Sequence, residues 1–447
     1  MLIIILAVIA LGLLCLLDYY KRQFWMRKGV PNSSSIPYFG HVWRIVSQQN
    51  TILGVYEADT HRFPEAPYFG VYEFWRPTLV VQDFNLIEHI LIKDFSHFLD
   101  HPRWVFDVRS IMHDSLFNMK GEKWRALRYR MIPWFTSNRI KSLFPFLLKC
   151  VTPPKEEFEA MAFLRQVAAD AISTFFGIEL SDKQELQEMN KRFHDVSNFK
   201  YYKLLLVEHF AKYTDLLGLT LSNRSTDQFF RNLIKSLFSN KNHSLVQRMD
   251  RLLNDRKVRM RKKDLYTKSA EDEVFSYEVT EDIFINIVGQ MFIAGLDTTS
   301  NTMTWLLYEL AMHPEIQAKA REEIRDCLKK HGDWTYDAVQ DMKYVAGCIN
   351  DLHPTIPFLF RMCTTKYTTP DGLTIDKGTK IVIPALTLQM NPSVYPEPEL
   401  FKPERFSFEE KNTNLKWLPF GEGPRKCLDE VRPDRNEMYG GQDFGKS

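Results

Sequence analysis

The sequence predicts a mostly helical fold with a small β region, set behind an N-terminal apolar segment. Three observations carry this. At 447 residues and 45% hydrophobic, the chain is long and apolar enough to bury a sizeable core in one large domain. From Ile283 to Ala311 an apolar pattern sustains one long helix, ended by His313-Pro314. Between Lys366 and Pro384, Pro370-Asp371-Gly372 and Lys377-Gly378 punctuate β-branched runs, the pattern of a small sheet with hairpin turns.

The elements follow in order. Met1 to Leu17 is apolar, with Lys21, Arg22, Arg27 and Lys28 after it and no A-x-A-like cleavage site. The run is near the short end for a bilayer span, so a secretory signal is the competing reading. The flanking charge favours an uncleaved membrane anchor with the body on the cytoplasmic side. We place the anchor at residues 1–20. A basic, Pro-containing linker with Pro31, Pro37 and Gly40 fills 21–40. One domain occupies 41–447.

Pro77-Thr78-Leu79-Val80-Val81 suits a buried strand, and a helical pattern runs from Phe84 to Lys93. Gly121 to Arg128 begins another helix. There Trp124 and Arg128 lie four apart, on one face, where both reach the same anionic group. Residues 150–240 alternate apolar stripes with polar breaks, consistent with packed helices, without internal repeat. Arg256 to Lys263 is a basic run, read as a solvated helix end or loop, with anionic lipid or an acidic partner as the other reading.

Net charge is +2, so nothing global argues for nucleic acid. The six cysteines form no C-x-x-C pair and no zinc-like spacing, which suits a reduced compartment.

One cysteine stands out. Cys427 ends Pro419-Phe420-Gly421-Glu422-Gly423-Pro424-Arg425-Lys426-Cys427. The glycines permit a tight turn, and a guanidinium such as that of Arg425 matches a carboxylate. With Phe420, Gly423, Arg425 and Cys427 in place, the stretch resembles the F-x-x-G-x-R-x-C signature of the cytochrome P450 family, the haem-thiolate monooxygenases. Ala294-Gly295-Leu296-Asp297-Thr298-Thr299 resembles that family's A-G-x-D/E-T motif, Trp124 and Arg128 its W-x-x-x-R, and Phe401 to Phe406 its P-E-R-F segment. The resemblance runs collinearly along nearly the whole chain and is nearest to insect microsomal members.

It implies a P450-like fold around one haem b, with Cys427 as the iron ligand, a thiolate that donates electron density to the metal. It makes Arg425, Trp124 and Arg128 partners of the haem propionates, with Arg361 a further candidate. Phe420 packs at the ring edge and Gly423 shapes the loop. Small Ala294 and Gly295 let the helix approach a ligand, while Asp297 and Thr298 manage protons. Phe98, Phe106 and Phe117 are pocket or core aromatics. The implied reaction inserts one oxygen atom from O2 into an apolar small molecule, a xenobiotic or an endogenous lipid or hormone. Electrons come from NADPH through a flavoprotein reductase, at the endoplasmic reticulum membrane.

Three departures leave a second reading open, a truncated or degenerate relative that fails to hold haem. The family's E-x-x-R is missing ahead of Pro357, where the chain reads Ile349-Asn350-Asp351-Leu352-His353-Pro354. Asp351 can stand in for the Glu, but Pro354 occupies the place of the Arg, so Arg405 is expected to lack its usual partners. Glu322 and Arg325 satisfy the motif literally but read as a surface pair one helix early. After Cys427, Asp429 replaces a Gly, and Pro433 blocks the helix expected there, so the end reads as truncated. A carboxylate at 429 also disfavours the thiolate. The stretch between Cys150 and Leu180 looks shortened around Pro153-Pro154.

Overall fold

The computed structural model describes residues 1–102, 110–151, 156–176, 203, 206–208, 210, 213, 224–239, 257–261, 274–278, 280–406 and 415–428. Helix α1 (Leu2–Arg22) is apolar on every side over residues 2–17 in sequence, and side chains such as Leu2, Ile4, Ile9, Leu13 and Leu17 are exposed. Surface helices of water-soluble proteins carry an apolar stripe on one face only. The short α2 (Phe24–Arg27) already belongs to the body, because Trp25 is buried and donates its indole N–H to the Val71 carbonyl at 3.1 Å. Thus the 21–40 segment packs on the body. After α3 (Val42–Val46) and α4 (Ile52–Arg62) comes the sheet.

Hairpin β1 (Tyr68–Glu73) and β2 (Arg76–Val81) pairs Tyr68 with Val81 and Glu73 with Arg76. Strand β2 holds the segment read as a buried strand. Its other neighbour arrives some 300 residues later, where β8 (Lys380–Ile383) runs parallel to it and β5 (Leu359–Met362) closes the order β1-β2-β8-β5. Side-chain alternation splits the apolar residues between two faces. Leu79, Val81, Ile381 and Ile383 pack with Trp25 and Ile90, while Val80 and Val382 pack with Tyr56, Phe69 and Val71. The small sheet expected near 366–384 divides, with β6 (Tyr367–Thr368) and β7 (Thr374–Ile375) turning at Gly372, whose φ is +95°.

The Phe84–Lys93 pattern is helical in two parts. Helix α5 (Phe84–Glu88) has Asp83 as its cap, accepting the Leu86 N–H at 2.8 Å, and a π-helical turn follows over His89–Lys93. Helix α6 (Gly121–Met131) carries Trp124 and Arg128. Beyond α7 (Ser137–Cys150), α8 (Ala160–Phe176) and α9 (Arg224–Ser239), the basic run corrects our reading. Lys257–Arg261 is strand β3, antiparallel to β4 (Val274–Glu278). Val258 and Met260 alternate with Arg259 and Arg261, the period of a strand.

Helix α10 (Glu281–Met312) is the predicted long helix, capped by Thr280. It is apolar enough to cross a membrane, but its apolar window is 67% buried, as befits a core helix. Pro314 opens α11 (Pro314–His331), which stops at Gly332 in the left-handed region. Glu322 and Arg325 are exposed on α11, as read. Their neighbour Glu323 caps α13 (Lys343–Asn350), which follows α12 (Tyr336–Asp341), by accepting the Tyr344 and Val345 N–H groups. The short α14 (Ala385–Gln389) leads to the P-E-R-F turn.

Candidate haem site

The loop that ends at Cys427 is closed by its own backbone. The Cys427 N–H donates to the Phe420 carbonyl at 2.9 Å, and Glu422 accepts the Gly423 N–H at 3.2 Å. Gly421 and Gly423 have φ of +68° and +74°, which any residue with a Cβ resists. At Gly423 the reason is also steric, since a Cβ there falls 1.9 Å from the Leu91 carbonyl oxygen of the π turn. Phe420 stacks edge-on against Trp417 at 5.7 Å between centroids. Cys427 is partly exposed and in no disulfide.

Three guanidiniums converge beside this loop. Arg425 is buried and lies 4.0 Å over the Trp124 ring, donating Nε–H to the Leu99 carbonyl at 2.7 Å and Nη2–H to the Met119 carbonyl at 3.0 Å. Arg128 donates to the Lys426 carbonyl next to the cysteine. Arg361, on β5, is 2% exposed, with one N–H on the Phe360 carbonyl at 2.8 Å and one 3.2 Å from His101 Nε2. Among the described residues the Arg361 Nε–H has no hydrogen-bond partner. Burial, then the charge of Arg128, lowers Arg361 to about 9. Burial and then Arg361 push Arg425 well down as well, against the opposing pull of Asp100. That Asp100 contact is 3.8 Å long, and no other carboxylate pairs with Arg361 or Arg425 among the described residues.

His101 sits between them and escaped the sequence reading, since Asp100-His101-Pro102 matches no motif. Its Nδ1 lies 3.2 Å from the Phe117 carbonyl, and its ring sits tilted against that of Phe117, 4.6 Å between centroids. Burial, then Arg425 and Arg361, pull its pKa well below normal, so it stays neutral and accepts from Arg361. Phe98 is core, in contact with Tyr367. Phe106 lies outside the described residues.

Helix α10 supplies the other motif. The Thr298 hydroxyl donates to the Ala294 carbonyl at 2.6 Å, and Thr302 donates to Thr298 and touches Thr355 at 3.4 Å, just ahead of β5. These residues form one stripe. Asp297 points the other way, buried against α8, with Oδ1 3.5 Å from Arg165. Gly295 corrects our reading, because its missing Cβ makes room for Ile172 of α8 at 2.9 Å. Its smallness serves helix packing.

Arg405 also corrects the sequence reading. Far from lacking partners, its Nε lies 2.7 Å from Asp351 Oδ1, and its Nη groups donate to the carbonyls of Pro396, Glu397 and Leu400 at 3.0, 2.9 and 2.6 Å. Asp351 follows α13 and also accepts the Lys402 N–H, so the acid substitutes for the missing glutamate. Asp429 and the residues after it, and Pro153-Pro154, lie outside the described residues.

The comparisons with known proteins decide the lineage. The profile described as Cytochrome P450 matches residues 30–430. The chain belongs to the cytochrome P450 family. This P450 is 32% identical to the probable cytochrome P450 6d5 of Drosophila melanogaster over 471 residues, which cover 95% of this chain and 89% of the relative. It is 30% identical to the probable cytochrome P450 6a23 of the same fly, over 95% and 88% of the two chains. Cytochrome P450 6k1 of Blattella germanica is 30% identical, over 92% and 84%. As a P450 it is a haem-thiolate monooxygenase enzyme, mostly helical with a small sheet region. The inactive, haem-free reading gains no support from these matches.

Its residues fit the cofactor. Of the buried guanidiniums of Arg361 and Arg425 only Arg425 has a carboxylate partner, the distant Asp100, and among the described residues Arg361 keeps an unused N–H. The paired carboxylates of a haem supply what such a cluster lacks.

Proposed function

We propose that Cys427 would bind the haem iron as its thiolate and that Arg128, Arg361 and Arg425, with Trp124, would hold the haem propionates. The observation that carries this reading is the Arg361–Arg425 cluster, buried with its positive charge under-compensated beside the Cys427 loop. When bound, the haem supplies dioxygen activation and transfer of one oxygen atom to the substrate. The chain's own residues do the rest. Phe420 and Gly423 set the loop, and neutral His101 steadies Arg361 by accepting its N–H.

Thr298 and Asp297 manage protons from α10. The Thr298 hydroxyl proton is committed to the Ala294 carbonyl, which leaves its oxygen lone pairs to accept a hydrogen bond from a group on the open side of the stripe. Asp297 is held by Arg165, whose partly exposed side chain links it toward solvent.

The substrate in this reading is an apolar small molecule. The electron source is NADPH through a membrane-bound flavoprotein reductase, which suits the apolar α1 and a body at the cytoplasmic face of the endoplasmic reticulum. The names of these relatives specify no substrate.

The test is the carbon-monoxide difference spectrum of the reduced full chain. The wild type is expected to give the band of thiolate-ligated haem and Cys427→Ala to lose it. A wild type without that band, or a Cys427→Ala variant that keeps it, removes Cys427 from the site.

A further inference from the structure

Helix α1 does not trail from the body. Its last turns are fastened to it. Asp18 is 3% exposed, although it closes an apolar helix. Its Oδ2 accepts the Arg22 Nε–H at 2.8 Å. Its Oδ1 accepts the Tyr38 backbone N–H at 2.8 Å and the Trp75 indole N–H at 3.1 Å. Arg22 continues to the Ser35 carbonyl at 3.2 Å, and Lys21 lies 5.2 Å over the Trp75 ring. A turn earlier, Cys15 Sγ is 3.1 Å from the Tyr38 hydroxyl. Trp75 belongs to the turn between β1 and β2, where Glu73 pairs with Arg76, so the clasp joins the helix to the main sheet.

The clasp fixes depth. Cys15 lies inside the apolar stretch that is long enough to cross a bilayer, and Tyr38 touches it. Tyr38 therefore stands at the level where the apolar run meets water, the level that amphipathic aromatics prefer. Around it the body exposes Ile36, Phe39 and Trp43, with the rings of Phe39 and Trp43 5.1 Å apart. On the helix side Tyr19 and Tyr20 are exposed, and Arg27 stacks on Tyr20 at 3.9 Å. Apolar tips, aromatic rings and cations at one level match a lipid headgroup layer. The tilt of a membrane protein is set by packing against its helix and by such interfacial anchors.

We propose that the Asp18 clasp holds the body at a fixed tilt on the bilayer that receives α1, with the Ile36–Phe39–Trp43 face seated in the lipid interface. This rests on α1 being a membrane anchor. A body on a free tether has no reason to bury these three side chains in lipid.

The experiment uses the full chain with vesicles of phosphatidylcholine and phosphatidylserine brominated on the acyl chains, reading tryptophan quenching. The wild type is expected to bind and be quenched. Trp43→Phe should remove a resolvable share of that quenching, about that of one among the nine tryptophans. Asp18→Ala should bind equally well yet lose the same share, while Asp18→Asn, which keeps an acceptor for Tyr38 or Trp75, should retain more of it. Unchanged haem content reports that each variant folds. Quenching indifferent to Trp43→Phe, or equal in Asp18→Ala and wild type, overturns the clasp while leaving the anchor. A wild type that does not bind vesicles overturns the anchor reading and the clasp with it.

Discussion

Asp351 and Arg405 form a close ion pair, Oδ1 to Nε 2.7 Å, that ties the end of α13 to the P-E-R-F turn ahead of the cysteine loop. Both side chains are mostly buried, and the three carbonyls around Arg405 complete its donors. A shorter acid does here the work of the glutamate that the family motif supplies. Removing it strands a buried cation. Asp351→Ala is expected to cost roughly 3–5 kcal/mol and to lower haem content, read by thermal melting and by the haem spectrum.

The same carboxyl sets a pH dependence. Burial raises Asp351 to about 6, outweighing the Lys402 N–H and the Arg405 charge, which both lower it. The folded chain thus holds this proton more tightly than the unfolded one. The group's contribution is complete below about pH 4, the unfolded value, and is lost as pH rises through about 6. Melting of Asp351→Asn between these limits should show a flatter pH dependence than the wild type. Equal slopes would take Asp351 out of this role.

Arg361→Met separates folding from cofactor binding. Replacing one buried cation by an apolar chain of similar reach relieves repulsion in the haem-free protein, so its stability should stay level or rise by about 1–3 kcal/mol. Haem retention should move the other way, by roughly 10- to 100-fold, the worth of a charge-assisted hydrogen bond. Transfer of haem to a competing globin and melting of the haem-free chain give the two readings. A fall in both marks Arg361 as structural only.

Gly421 and Gly423 both have positive φ, yet they should not respond alike. A Cβ at 421 meets only Leu359 side-chain atoms, the nearest at 3.7 Å, so Gly421→Ala is expected to cost about 1–2 kcal/mol, the conformational penalty alone. At 423 the clash is with the Leu91 backbone, and the loop must move. Gly423→Ala should lose the thiolate-ligated haem band, while Gly421→Ala keeps it. The order reversed would contradict the geometry.

Asp297→Asn is expected to reduce product turnover about 10²- to 10⁴-fold with haem content and spectrum unchanged, the range for losing a proton-transfer group. Asp297→Glu should recover part of it. A drop in haem content of equal size would instead mark the Arg165 pair as a fastening between α8 and α10.

Much of this was present in local patterns. The long core helix, the β2 strand, the cysteine loop and the W-x-x-x-R face each depend on neighbours within a few residues, and these stand where the spacing placed them. Elsewhere the deciding partner lay far along the chain. Gly295 is small because Ile172 needs the space, and Gly423 because Leu91 does. The basic run became β3 through a period-two alternation masked by its charge.

By itself the sequence determined the lineage, the thiolate candidate and the apolar N-terminal run, because motif and periodicity are properties of consecutive residues. Only the tertiary structure decided that Asp351 completes Arg405, that His101 joins the arginine cluster, and that Asp18 grips the β1–β2 turn. Each of these is a buried polar group, and a buried polar group is stable only with its partner. For Arg405 that partner is 54 positions back at Asp351, for Arg361 it is 260 away at His101, and for Asp18 it is 57 ahead at Trp75. Folding brings those pairs together, and no local spacing records them.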